Sequence, residues 1–208
     1  MMRTSARRAR KFAYVFFALF ALGAAEKKTL FAQSSAEAAV RLPVTWASGT
    51  GAPTVKTQFA PMLSLNLGGA LNADARASLD TRISNTDIQM TENGVSWSGG
   101  TLTLVDVVAT LGWRPLLLND HRLSFEIGVG ATVFAGSRSV APFKEGKSVV
   151  PIAEGTLAYD LPFKFAKNAV AVLARESIMR MGGADGNDAV QQPGYVHRVS
   201  FGLRVTHQ

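Results

Sequence analysis

Hydrophobic and polar positions alternate with a period of two along most of the chain. Between His121 and Gly136 the residues Leu123, Phe125, Ile127, Val129, Ala131, Val133 and Ala135 are all apolar. The interleaved Arg122, Ser124, Glu126, Gly128, Gly130 and Thr132 are polar or glycine, and only Phe134 breaks the rule. A helix would scatter these apolar residues around its surface and carry two interior glycines at about 1 kcal/mol each. A strand accounts for both features.

The same pattern predicts eight strands, over residues 36–46, 57–69, 74–83, 101–114, 121–135, 148–161, 169–180 and 194–206. Most exceed the five or six residues usual in soluble sheets and suit the roughly 9–11 that a tilted strand needs to cross a bilayer. The connections alternate in length. Segments 70–73, 115–120 and 162–168 are short, with turn chemistry in Gly69-Ala70-Leu71-Asn72 and in Pro115 to Asp120. Segments 47–56, 84–100, 136–147 and 181–193 are long and rich in Gly, Ser, Asn, Asp or Pro, and Asn93-Gly94 inside the second carries a hairpin signal of its own. Short and long connections alternating around an even number of strands is the stringing of a bacterial outer-membrane barrel. On that topology the segments around residues 52, 92, 142 and 187 face outside, and those around 72, 118 and 165 face the periplasm.

Composition changes the picture mainly at the N-terminus. The chain has 208 residues, no cysteine and a net charge of +7 from 22 Lys+Arg and 15 Asp+Glu. Seven of the basic residues (Arg3, Arg7, Arg8, Arg10, Lys11, Lys27 and Lys28) lie before residue 32, and removing 1–32 leaves 15 basic against 14 acidic residues. The basic footprint of a nucleic-acid binder is then gone, and nucleic acid is excluded as a partner. Behind the charged start, Phe12 to Ala25 is a run of 14 apolar or small residues. A spanning helix needs about 20, whereas a signal-peptide core needs roughly 7–15. Residues 1–32 therefore read as a signal peptide, cleaved after Ala32 or Ala25, and 33–208 as one exported domain. A short uncleaved anchor is the alternative.

Both faces of the predicted strands carry information. Strand 74–83 sets Asp74, Arg76, Ser78, Asp80 and Arg82 against Ala75, Ala77, Leu79, Thr81 and Ile83. Strand 101–114 sets Asp106, Thr110, Gly112 and Arg114 against Val105, Val107, Ala109, Leu111 and Trp113, and strand 194–206 sets Arg198, Ser200, Gly202 and Arg204 against Val199, Phe201, Leu203 and Val205. A soluble sandwich alternates as well, so the aromatics decide. Trp46, Phe59, Trp113, Tyr159 and Tyr195 share the apolar parity and sit near strand ends. Trp46, Phe59 and Tyr195 fall at the outer rim, and Trp113 and Tyr159 at the inner rim with Phe163 and Phe165. Two such girdles mark a membrane–water interface.

The polar parity then faces a lumen. It holds Arg41, Arg76, Arg82, Arg114, Arg122, Arg175, Arg198 and Arg204 against Glu37, Asp74, Asp80, Asp106, Glu126, Glu154 and Asp160. A selective pore lines itself with one sign of charge. Near-equal numbers instead predict ion pairs that bridge the lumen and close it. Arg175 and Glu176 are adjacent, so one must face lipid; Glu176 is the cheaper choice and is expected near the outer rim.

On these residues the chain resembles, over 36–208, the small eight-stranded outer-membrane β-barrels of the OmpX-like class and the OmpA transmembrane domain. The resemblance implies an all-β fold, an eight-stranded antiparallel up-and-down transmembrane barrel in the bacterial outer membrane. It also implies outer-membrane lipid and the outer-membrane assembly machinery as partners. Such barrels usually finish on an aromatic that the machinery reads. This chain departs from that, ending Phe201-Gly202-Leu203-Arg204-Val205-Thr206-His207-Gln208.

Candidate chemistry is sparse. Without cysteine there is no disulfide scaffold, thiolate metal site or Cys nucleophile. The separated His121, His197 and His207 make no metal site. Lipid A deacylases of the outer membrane resemble the chain in size and use a His and a Ser two apart on one strand, but His197 and Ser200 are three apart and fall on opposite faces. The stretch from Met181 to Asp188 lacks the spacing and closing Glu of a calcium loop. No catalytic, cofactor-binding or metal residue is expected, and no cofactor. A structural or surface-interaction barrel working through its extracellular loops is the leading reading, with an extracellular ligand or surface that the sequence does not name. A narrow pore or lipid-handling barrel and a soluble periplasmic lipocalin-like barrel are the alternatives.

Overall fold

A computed structural model of the chain describes residues 33–47, 54–72, 74–114, 122–136, 147–181 and 194–207. The leader with both cleavage sites, the segments around 52, 118, 142 and 187, His121 and the glycine-rich stretch from Gly182 lie outside the described residues.

Ten strands form: β1 (Gln33–Arg41), β2 (Thr45–Ala47), β3 (Thr54–Thr57), β4 (Ala60–Ala70), β5 (Ala75–Glu92), β6 (Val95–Trp113), β7 (Leu123–Gly136), β8 (Lys147–Phe165), β9 (Asn168–Met181) and β10 (Gly194–His207). All pairings are antiparallel. β1 pairs with β4 on one side and with β10 on the other, and the β5–β6 pairing completes the ring. The result is a closed eight-stranded barrel of β1 and β4 to β10. Closure removes the sheet edges that an open sheet of this length would expose.

β2 and β3 continue the first hairpin beyond the barrel wall, where β3 pairs with β5 above β4. The strand expected over 36–46 is therefore broken at Leu42 to Val44, and the one expected over 57–69 at Gln58-Phe59. Pro43 has no N–H to give a ladder. The break is closed locally, since Thr57 Oγ1 accepts from the Val44 N–H at 2.9 Å and the Thr57 N–H donates to the Val44 carbonyl at 2.9 Å.

The largest departure from the sequence expectation is segment 84–100, read there as a long loop. β5 and β6 run through it to a two-residue turn at Asn93 (φ 50°) and Gly94 (φ 78°). Left-handed dihedrals at both positions match the twist of the flanking strands. A bulge at Gly99-Gly100 shifts the register between Ile88 and Gln89, and Ile88 and Met90 turn into the barrel mouth, where both are buried. The expected 162–168 turn shrinks in the same way to Ala166 (φ 48°) and Lys167 (φ 72°).

Along each stave the burial alternates, with the polar residues inside. Leu63, Leu65, Leu67, Ile83, Leu111, Ile127, Val129, Phe201 and Leu203 are exposed, while Glu37, Asp80, Arg82, Asp106, Glu126 and Arg175 are buried. The inward Gly130 is required by space: a Cβ there would lie 2.0 Å from the Val107 carbonyl oxygen on β6.

Candidate functional site

The lumen is filled by a column of ion pairs. Five carboxylates (Glu37, Asp80, Asp106, Glu126, Glu154) and five guanidiniums (Arg41, Arg82, Arg175, Arg198, Arg204) are buried inside the barrel. The two signs are equal in number among the buried groups, and the partly exposed Arg76 adds a sixth guanidinium at the short-turn end. Every cation is an arginine, whose planar fork can engage a carboxylate with two parallel hydrogen bonds.

Near the short-turn end, Arg204 donates to Glu126 through Nη1 at 2.6 Å and Nη2 at 3.0 Å, and Arg76 pairs with the same carboxylate. In the middle, Arg175 clasps Glu37 at 2.6 and 2.9 Å, and Arg82 binds Glu154 at 2.6 and 2.5 Å and Asp80 at 2.9 and 2.5 Å. Arg204 Nη2 lies 3.6 Å from Glu37, and Arg175 Nη2 lies 3.6 Å from Asp80. These approaches join the lower and middle groups. Higher up, Asp106 accepts from Arg41 at 2.7 Å, Arg198 at 3.3 Å and the Thr132 hydroxyl at 2.6 Å. Neutral side chains take further donors: Ser84 accepts from Arg41, Ser177 and Thr132 from Arg198, and Thr156 from Arg175, while Arg204 Nε and Asp80 Oδ1 are buried without a hydrogen-bond partner.

Above this column the lumen changes character. Val55, Ile88, Met90, Leu102, Leu104, Phe134, Val150, Ile152, Met179 and Val196 form one buried apolar cluster toward the end where the long connections emerge, and Val108, opposite Asp80, extends it down beside the ion pairs. The sequence reading missed this plug. Its signal was present in Leu102, Leu104 and Phe134, which share the polar parity of their strands; Ile88 and Met90 were hidden inside the segment read as loop.

Three expected lumen residues lie elsewhere. Arg122 precedes β7 and is exposed at the short-turn rim, because β7 starts at Leu123 rather than at 121. Asp74 is exposed in the turn before β5. Arg114 follows the end of β6 and pairs with Asp160 at 2.7 Å in a partly exposed bridge at the mouth. A cavity of about 160 Å³ opens at that mouth, lined in part by Arg76, Arg114, Asp160 and Arg204. Toward the opposite end, a cavity of about 10 Å³ lies between the apolar plug and Arg41 and Arg198. It has room for one water molecule at most.

The outer wall carries the aromatics. Phe59 (64% exposed) and Tyr195 (71%) lie toward the long-connection end. Trp113, Phe163 and Phe165 are exposed at the short-turn end, where Trp113 stacks on Phe125 at 5.7 Å and Tyr159 is half-buried. Trp46 lies on β2, with its side chain outside the described residues. Glu176 faces outward as expected, but lies lower than the rim, between Gly155 and Val199. Its Oε1 is 2.7 Å from Nδ1 of the outward His197. Ser200 is buried on the inner face, so this carboxylate–imidazole pair does not reach a hydroxyl nucleophile there.

Beyond the wall projects the β5–β6 hairpin. β6 pairs with β7 only from Leu102 to Trp113, whereas it pairs with β5 up to Val95. Residues 95–101 of β6 thus form an edge with no strand on its far side among the described residues. Val95 and Trp97 are exposed on it.

Among the described residues, no helix is long and apolar enough to cross a membrane, which says nothing of strands, and no group of His, Asp and Glu could hold a metal ion. No family model matches the chain, and no curated protein does. The solved structures it is similar to include the following bacterial proteins. Neisserial surface protein A is 11% identical with a TM-score of 0.48, covering 83% of this chain and 95% of that one. The outer membrane protein OprG of Pseudomonas aeruginosa is 9% identical at 0.43, covering 85% and 94%. The attachment invasion locus protein Ail of Yersinia pestis is 14% identical at 0.45, covering 84% and 98%.

Proposed function

We propose that the chain is an outer-membrane barrel whose lumen is shut and whose interactions are made by the projecting β5–β6 hairpin. Support for the membrane comes from the inverted wall, with apolar residues outside, ionised residues inside and aromatics toward both rims. A barrel in water would reverse that arrangement. The observation that carries the interaction reading is the edge of β6 from Val95 to Thr101, which no strand among the described residues pairs. An unpaired row of backbone donors and acceptors accepts an added strand, with main-chain bonds supplying affinity and flanking side chains specificity. The partner class is therefore a polypeptide with an extended segment. The outer-membrane assembly machinery and outer-membrane lipid are the partners that such a location requires.

Sidedness, conduction and edge binding test the reading. Mature protein lacking residues 1–32 or 1–25 should partition with the outer membrane and show heat-modifiable gel migration. Recovery in the soluble periplasm favours the lipocalin-like alternative. A cysteine at Asn93 should react with an impermeant reagent on whole cells, and one at Lys167 should not. In planar bilayers the refolded protein should show no steady nanosiemens openings; such openings favour the narrow pore. Extended peptides captured by the reconstituted barrel should be released by Val95→Lys with Trp97→Lys, since edge charges block strand addition. Unchanged capture overturns the edge as the binding surface.

A further inference from the structure

Glu176 and His197 stand out on the outer wall. Their side chains are 56% and 57% exposed, yet their surroundings on that face are Val172, Ile178, Phe201 and Leu203, all exposed and apolar. Glu176 lies four residues below Arg180, the cross-strand partner of the rim residue Tyr195. If the barrel spans a membrane, as proposed above, hydrocarbon would meet an ionisable pair there, an expensive arrangement that a protein partner would relieve.

The geometry points to a second copy of this chain as that partner; we infer that the β9–β10 wall is a self-association face. The pair engages one atom of each side chain, Glu176 Oε1 and His197 Nδ1. Each residue has a second polar atom outside that bond, Oε2 and Nε2, on a side chain more than half exposed. Two copies in the same membrane orientation are related by a two-fold axis along the membrane normal, and such an interface must be self-complementary. An imidazole–carboxylate pair meets that condition. With each ring doubly protonated, Nδ1–H donates to Oε1 within its own copy and Nε2–H to Oε2 of the other, closing a ring of two carboxylates and two imidazolium cations. The wall beside the pair permits close approach. Gly155 is the cross-strand neighbour of Glu176, and a Cβ built on it meets nothing within 4 Å. Ala153 and Ala174 flank it on the outward parity. Small residues at such a surface let two backbones pack closely in lipid.

The chain has no cysteine, which makes cross-linking a direct test. Val199→Cys lies beside Glu176, whereas Ile83→Cys lies on the exposed face of β5, across the barrel. In phosphatidylcholine vesicles at high lipid dilution, Val199→Cys should cross-link to a dimer and Ile83→Cys should not. Adding Glu176→Leu and His197→Leu should abolish the dimer while heat-modifiable folding persists, because both changes suit a lipid-facing wall. Exchanging the two residues, Glu176→His with His197→Glu, should restore it. Equal cross-linking at the two sites, or a dimer that survives the double leucine change, overturns the inference while leaving the membrane reading intact. Failure of the wild type to enter the vesicles overturns both.

Discussion

Below Asp106 the lumen is packed with arginines and carboxylates; above it the same staves turn Leu102, Leu104, Phe134, Ile152 and Met179 inward. Both halves fill a space that eight strands leave just wide enough for side chains. They differ in what the filling demands. The apolar half needs volume, and methionines such as Met90 and Met179 can adjust to a neighbour's loss. The ionic half needs partners, because each buried charge depends on the geometry of another, often from three or four strands away. Losses should therefore be local and graded above, steep and shared below.

The steepest loss is expected at Glu126, which serves both Arg204 and Arg76. Glu126→Ala should lower the unfolding free energy by about 3–5 kcal/mol, because it strands a buried cation. Urea titration of the refolded barrel would show it, and adding Arg204→Leu should recover part of the loss. A cost below about 1 kcal/mol would mean that the guanidinium finds another partner or water.

Leu102→Ala in the plug should cost less, about 2–3 kcal/mol, at the low end for a buried leucine because the methionines deform into the space. Conservative changes sharpen the contrast. Arg175→Lys keeps the charge but loses the two-bond clasp on Glu37, for about 2 kcal/mol. Ile152→Val should cost about 1 kcal/mol. Equal costs for these last two, measured in one titration series, would erase the distinction between the halves. Lys167→Gly touches neither half. By relieving a left-handed dihedral at a non-glycine residue, it should raise stability by about 1 kcal/mol.

The sequence carried the architecture because alternation with period two is a local signal, legible wherever a strand is long. It failed where strands end. Residues 84–100 are rich in Asn, Ser and Gly, a composition shared by loops and by a projecting, two-sided polar hairpin, so only Asn93-Gly94 betrayed the turn. The misplacement of Arg122 has the same origin: a strand start two residues early carries a rim residue into the lumen. In the candidate site, parity separates inward from outward charges, but it does not say which meets which. Glu126 on β7, Arg76 on β5 and Arg204 on β10 come together only through the register around the closed ring, a non-local property that no single segment encodes.

The ten buried charges also bear on the order of events during assembly. A partly zipped sheet presents its inner face sideways, and in hydrocarbon each unpaired guanidinium near the midplane costs about 2–4 kcal/mol. Arg175 is matched to Glu37 across 138 positions of chain, and Arg204 to Glu126 across 78. The match of Arg175 to Glu37 exists only when β1 has met β10, the two ends of the folded chain. Sealing that seam and entering the bilayer are therefore coupled, and a half-inserted intermediate would need its inner face kept wet or shielded until the last strand arrives.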